Sequence, residues 1–165
     1  MMIGLLQRKS LKLFHPLIKR IIKIYLRKPR KYHFENLILI IYPSVFHPGL
    51  FYSTQYLISF IGQLDLRGKR VLELGAGSGL ISMVCAKRGA HVTASDINTI
   101  ALDGIKKNAS RNNLNIQTQE SNLFDEISPA DFDIIIINPP YYPKTPKTAG
   151  ESAWFCGENF EYFEK

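Results

Sequence analysis

Arg70-Val71-Leu72-Glu73-Leu74-Gly75-Ala76-Gly77-Ser78-Gly79 is the stretch that decides the fold. Five residues of strand character run straight into glycines at every second position. Leu80, Ile81, Val84 and Cys85 then fall on one helix face. A strand that feeds a helix through such a loop is the opening unit of a parallel α/β sheet. Gly89 is placed to cap this helix at its C-terminus. The alternation continues downstream. His91-Val92-Thr93-Ala94-Ser95, closed by Asp96, reads as a second strand, and a helix over about 99–110 turns Leu102, Ile105 and Ala109 toward the sheet. Asn112-Asn113 marks the turn out of it, and Ile116 with its neighbours makes a third strand. The run Phe132-Asp133-Ile134-Ile135-Ile136-Ile137 predicts a fourth strand covered on both faces. The expected architecture is a doubly wound, mostly parallel sheet.

The loop also carries chemistry. Without a Cβ, alternate glycines let the backbone turn sharply and approach a ligand closely. A dinucleotide site is spaced G-x-G-x-x-G and aims a helix N-terminus at a pyrophosphate. Here the spacing is G-x-G-x-G, and Glu73 stands just ahead of it. A carboxylate in that place disfavours a diphosphate and favours a ligand that carries an ammonium and a sulfonium. Asp96, at the end of the second strand, is placed to accept hydrogen bonds from ribose hydroxyls. The glycine loop by itself also fits a tight turn in an unrelated α/β protein, and Asp96 narrows that alternative.

Asn138-Pro139-Pro140-Tyr141 follows directly on the fourth strand, at the edge of the sheet where open parallel sheets bind ligands. Two prolines fix the backbone and offer carbonyl acceptors without N–H donors. The nitrogen of an amide, or of an amino group on a heteroaromatic ring, has a delocalised lone pair and is a poor nucleophile. Acceptors at Asn138 and Pro139 would each take one of its two N–H bonds and hold it for attack, so that positioning lowers the barrier. Tyr141 can stack on the planar group and border a positive charge. No general base is demanded, and His47 is read as a loop or packing residue.

These motifs together resemble the class I S-adenosylmethionine-dependent methyltransferases, in which the glycine loop contacts the methionine part of the cofactor. Asn138 to Tyr141 resembles the active site of members that methylate glutamine amides or the amino groups of adenine and guanine. Asp96-Ile97-Asn98 with Ala101-Leu102, and Asn122-Leu123-Phe124-Asp125 with Phe132-Asp133, are similar to the release-factor glutamine methyltransferases and their small-domain relatives, over about 42–142. The resemblance implies a Rossmann-like fold and an N-methyltransferase whose cofactor is S-adenosyl-L-methionine. It implies cofactor contacts at Glu73, Gly75, Ala76, Gly77, Gly79, Asp96, Ile97, Asn122, Leu123 and Asn138, with Thr54 as a further candidate. Asn138, Pro139, Pro140 and Tyr141 would carry the chemistry. Asn122 departs from the pattern, because relatives usually have an acid there to receive the adenine amino group. An amide oxygen still accepts that bond.

Composition bounds the rest. The 165 residues, 45% of them hydrophobic, suit one globular domain. Cys85 and Cys156 belong to no Cys-x-x-Cys pair, which points away from a zinc site, and Cys85 reads as core packing. The charge is +7 overall, yet residues 1–35 hold ten Lys and Arg against one acid. That arm, from Arg8 to Lys31, carries the basic character. Ile18, Ile21, Ile22 and Tyr25 recur at helical spacing among its cations, which predicts a basic amphipathic helical arm over 1–35 ahead of a methyltransferase domain over 36–165. Three uses compete for the arm: packing on the domain, contact with nucleic-acid phosphates, and contact with an anionic membrane surface. Charges interrupt its apolar residues, so it lacks the apolar core of a secretory leader, and the longest apolar run, 37–42, is far short of a bilayer span. A reducing, cytoplasmic setting is expected.

Substrates implied by the resemblance are a protein, such as a release factor or ribosomal protein, or RNA or DNA. Relatives continue with further strands after the Asn-Pro-Pro-Tyr motif, whereas 24 residues follow Tyr141 here, so the domain is expected to be C-terminally incomplete. Those residues read as a mobile loop over 141–150 and a helix beginning near Trp154. The alternative function is a non-catalytic S-adenosylmethionine-fold binding module. A nucleotide-sugar or NAD-binding protein is disfavoured by both motifs.

Overall fold

The computed structural model describes residues 24–50 and 52–164. A hairpin comes first, with β1 (Arg30–Phe34) antiparallel to β2 (Leu37–Ile41). After a short 3-10 turn at Pro48–Leu50 comes helix α1 (Tyr52–Ile61). The central unit then alternates as β3 (Arg70–Leu74), α2 (Leu80–Lys87), β4 (His91–Asp96), α3 (Thr99–Arg111), β5 (Ile116–Glu120) and β6 (Ile134–Ile137). One short helical turn, α4 (Ala149–Ser152), follows. All neighbouring strands of the central sheet are parallel, in spatial order β5-β4-β3-β6.

Local sequence accounts for the boundaries. Gly89 takes φ +88° just past α2; its N–H donates to the Ala86 carbonyl and that of Ala90 to Cys85, a Schellman closure that only a left-handed residue completes easily. At the other crossover, the Asn98 side chain accepts from the Ile100 N–H and so caps α3.

Register sorts the sheet into two faces. Ile116, Val92, Val71 and Ile134 lie in one row across the sheet, with Ala94, Glu73 and Ile136 in the next row on that face. The buried residues of α1, α2 and α3 join this face in one core that includes Ile61, Met83 and Ile105. Leu72 and Leu74 point the other way, where Leu123, Phe124, Ile127, Phe132 and Tyr162 cover them. Among the described residues the three longer helices therefore pack on a single face, and the winding reverses at β3, with β4 and β5 on one side and β6 on the other, as the doubly wound reading expects. The expectation that the fourth strand is covered on both sides is corrected. Among the described residues β6 ends the sheet, and Ile135 and Ile137, on the second face, are 40% and 39% exposed. Its continuous apolar run hid this alternation.

The hairpin is the other departure. The stretch Arg30–Phe34, read as the end of a helical arm, is a strand whose Tyr32 and Phe34 pack on the core, and residue 35 falls in its turn. Residues 1–23, including most of the basic arm, lie outside the described residues. Two asparagines one turn apart on α3 hold the hairpin. Asn108 Nδ2 donates to the Ile40 carbonyl and its Oδ1 accepts from the Ile40 N–H, while Asn112 repeats the pattern with Ile38, at 2.8–2.9 Å. A helix thus satisfies a strand edge through side-chain amides.

The last segment also differs from expectation. Helix α4 forms inside the predicted loop, because Thr148 caps it through the Glu151 N–H. Trp154 to Gly157 is not helical: Phe155 bridges to Tyr142 and Gly157 to Lys144. Among the described residues no helix is long and apolar enough to cross a membrane.

Candidate functional site

β6 pairs with β3 so that Ile137 stands opposite Leu74. The loops leaving these strands therefore start side by side. Gly75 and Asn138, far apart in sequence, open onto one cavity of about 490 Å³. Of the residues singled out from sequence, Thr54, Glu73, Gly75, Ala76, Gly77, Asp96, Ile97, Asn122, Leu123, Asn138, Pro139, Pro140 and Tyr141 all line it. Gly79 does not. A Cβ there would sit 2.6 Å from Ile105 Cγ1, at φ +72°. This glycine lets α2 approach α3, the packing task of a loop's last glycine.

Asp96 organises the cofactor end. One carboxylate oxygen accepts from the Gly77 N–H at 2.7 Å and the other from the Asn98 N–H at 2.8 Å. Burial pushes its pKa up, against the pull of these bonds. The Ala76 N–H donates to the Ser95 carbonyl, which ties the loop to β4.

Glu73 has a different geometry from the one its position in sequence suggested. Its side chain lies on the helix-covered face, is buried, and accepts from both the N–H and the hydroxyl of Ser82 in the first turn of α2. One carboxylate oxygen is thus spent on the helix N-terminus, where negative charge is favoured. Burial raises its pKa to about 7.

At the acceptor end, Asn138 Nδ2 stands 3.4 Å from Thr54 Oγ1, which leaves the amide oxygen available to the cavity. Pro140 is buried and Tyr141 is exposed at the mouth. His47 is turned away: it is buried with its ring edge-on to Tyr32, its Nδ1 accepts from the Gly49 N–H, and burial lowers its pKa.

Sequence reasoning missed Ser44, Ser121, Trp154 and Tyr162, which also line the cavity, as do Phe46 and Asn98. Phe46 and Trp154 meet over it with ring centroids 5.2 Å apart. Asn98 Nδ2 donates to the Ser44 carbonyl, holding the 42–50 segment against the Asp96 loop. The Tyr162 hydroxyl, pushed up to about 12 by burial and by Asp96, lies 3.6 Å from where a Gly75 Cβ would be. No motif announces these contacts, because segments distant in sequence make them.

The residues present fit a cofactor of the kind expected. Gly75 and Gly77 adopt φ +63° and +50° and leave their side-chain space open to the cavity, and a paired acid stands beside them.

A Methanocaldococcus jannaschii protein, provisionally named a protein N5-glutamine methyltransferase, is 40% identical over 66% of this chain and 53% of its own length. The ribosomal RNA small subunit methyltransferase C of Haemophilus influenzae is 38% identical over 66% of this chain and 33% of its own. This chain thus spans about half or less of the relatives it matches. Among solved structures, the Thermus thermophilus 16S rRNA N2 G1207 methyltransferase, in complex with AdoMet and guanosine, superposes with a TM-score of 0.61. It is 25% identical over 72% of this chain and 34% of its own. The model of the methyltransferase small domain matches residues 36–153, and the chain belongs to that family.

Proposed function

We propose that this chain is an S-adenosylmethionine-dependent N-methyltransferase acting on a planar NH2 nitrogen. The observation that carries the proposal is the junction of Thr54, Asn138 and the glycine loop on one cavity wall. S-adenosylmethionine, when bound, supplies an electrophilic methyl group.

The chain's own residues do the rest. Gly75 and Gly77 give backbone access, and Asp96 accepts from ribose hydroxyls with the lone pairs that Gly77 and Asn98 leave free. Thr54 engages Asn138 Nδ2, so that Asn138 Oδ1 and the Pro139 carbonyl accept the two N–H bonds of the substrate nitrogen. Held in this way, the nitrogen keeps one face toward the methyl donor, and orientation supplies much of the acceleration. Its proton leaves through these acceptors or through water once the new bond makes it acidic. Tyr141 borders the planar group.

A glutamine amide and a nucleobase amino group offer the same H–N–H pattern. The relatives' names cover both, one by protein glutamine and one by ribosomal RNA. The test is incubation with radiolabelled S-adenosylmethionine and fractionated cell extract, with Asn138→Ala in parallel. Label is expected in protein or nucleic acid with the wild type and at background with the variant. Equal labelling by both refutes the proposed role of Asn138.

A further inference from the structure

Helix α1 has a face that no described residue covers. Tyr52, Tyr56 and Phe60 are 81%, 75% and 59% exposed and fall at i, i+4 and i+8. They make one ridge of aromatic rings about 6 Å apart along the axis. Exposed aromatic surface of this extent on one helix face marks an interaction site.

The first turn of α1 reaches the cavity through Ser53 and Thr54, while the ridge lies on the face of the helix opposite Thr54. Thr54 is the residue that meets Asn138. The ridge's surroundings are basic. The turn that leads into α1 carries His47, whose ring is edge-on to Tyr25 and Tyr32, and the Arg30 guanidinium lies 4.0 Å over the Tyr25 ring. Arg27, Lys28 and Lys31 are exposed beside it. At the far end, exposed Arg88 donates to the carbonyls of Gly62 and Leu64. α1 itself carries no charged residue, and the acids next to it in this shell are already paired, Glu35 with Lys87 and Asp65 with Arg67.

We propose that the α1 ridge binds single-stranded nucleic acid, with bases stacked on Tyr52, Tyr56 and Phe60 and phosphates met by the flanking cations. It deepens the N-methyltransferase reading by naming the macromolecule that brings the acceptor nitrogen to Asn138. Rings on a convex ridge offer no groove for a peptide's side chains, whereas every base has a flat face to lay on a ring. Aromatic platforms within a positive surround are how unpaired strands are held without sequence readout.

The test uses the full chain and a short fluorescein-labelled single-stranded RNA of mixed sequence, read by anisotropy over a salt series. Wild type is expected to bind, with affinity falling as salt rises. Tyr52→Ala/Tyr56→Ala/Phe60→Ala is expected to bind about tenfold or more weakly. Its salt slope should be unchanged, since the cations remain, and Tyr52→Phe/Tyr56→Phe should bind like wild type. Tetranitromethane nitration, mapped by mass spectrometry, is expected to modify Tyr52 and Tyr56 in the free chain and to spare them with RNA bound. Equal binding by the alanine variant overturns the proposal, and so does binding of a glutamine-bearing peptide but not RNA. Nitration unchanged by RNA overturns it as well, as does protection of both tyrosines in the free chain, which would mean that residues 1–23 cover the ridge. S-adenosylhomocysteine calorimetry on the same samples separates the two readings. Cofactor binding with no effect of the ridge variant sinks this inference alone, and RNA protection without cofactor binding sinks the methyltransferase reading alone.

Discussion

Thr54 Oγ1 lies 3.4 Å from Asn138 Nδ2, joining the first turn of α1 to the residue that follows β6. The contact crosses 84 positions of sequence, and with Nδ2 turned to Thr54 the Asn138 amide oxygen is left to the cavity. Thr54→Val keeps the shape and removes the hydroxyl. One net hydrogen bond corresponds to roughly 1 kcal/mol, so turnover is expected to fall about five- to tenfold while S-adenosylhomocysteine affinity, by calorimetry, stays within about twofold. A loss of cofactor affinity as large as the loss of turnover would assign Thr54 to the cofactor instead.

Asp96 supports the glycine loop and, in the proposed reading, a ribose. Asp96→Ala removes the partners of the Gly77 and Asn98 N–H groups as well as the charge. Bonds to charged groups contribute about 1.5–3 kcal/mol each, so S-adenosylhomocysteine affinity should drop by roughly a hundredfold. Asp96→Asn keeps an acceptor oxygen and should lose less.

Two glycines of one loop should fail differently. Gly79→Ala forces a Cβ to 2.6 Å from Ile105 Cγ1 at positive φ, and overpacking of this kind costs about 1–3 kcal/mol on top of backbone strain. Denaturant unfolding should show the loss. At Gly75 the nearest atom to a new Cβ is 3.6 Å away, so Gly75→Ala carries only the strain, about 1–2 kcal/mol, and places its methyl in the cavity wall. Cofactor affinity is the expected casualty there.

Glu73 makes stability depend on pH. Its folded-state pKa, raised to about 7 by burial, exceeds the unfolded value near 4.5. Between these values the folded chain keeps a proton that the unfolded chain has released, so stability falls as pH rises from about 4.5 to about 7 and then levels. The fall attributable to Glu73 is on the order of 3 kcal/mol, and the raised pKa of Asp96 acts in the same direction. Glu73→Gln should flatten that part of the profile in urea titrations at pH 5 and pH 8. An unaltered slope in the variant would show that Glu73 is ionised throughout.

Asn108 is 1% exposed and pairs with both polar groups of the Ile40 peptide. Asn108→Ala leaves those groups buried without partners, at roughly 1–3 kcal/mol for each. Hydrogen exchange at the Ile40 amide should accelerate well before global unfolding. Protection equal to wild type would mean that the hairpin does not depend on this side chain.

The parts of this protein legible in sequence are those governed by local rules. The strand-loop-helix around Gly75 to Gly79, the Gly89 closure, the Asn98 boundary of α3 and the motif at Asn138 all rest on period, capping and backbone freedom, which neighbours in sequence determine. The structure altered meanings wherever a residue's partner was distant. Gly79 proved to be a packing glycine because Ile105 stands over it. Glu73 proved to serve α2 because its face of the sheet holds Ser82. The four isoleucines of β6 looked buried on both faces, yet only the order β5-β4-β3-β6 reveals that, among the described residues, the strand ends the sheet with two of them exposed. Arg30–Phe34 was read as helix because its alternation is short and its partner is the hairpin strand β2, whose other edge is satisfied by Asn108 and Asn112, some 70 residues away. Sequence by itself determined the glycine loop after β3 and the Asn138 to Tyr141 turn after β6. Only the tertiary structure placed them against one cavity and gave Asn138 its neighbour Thr54, since that contact depends on how β3 and β6 pair and on how α1 packs beside them.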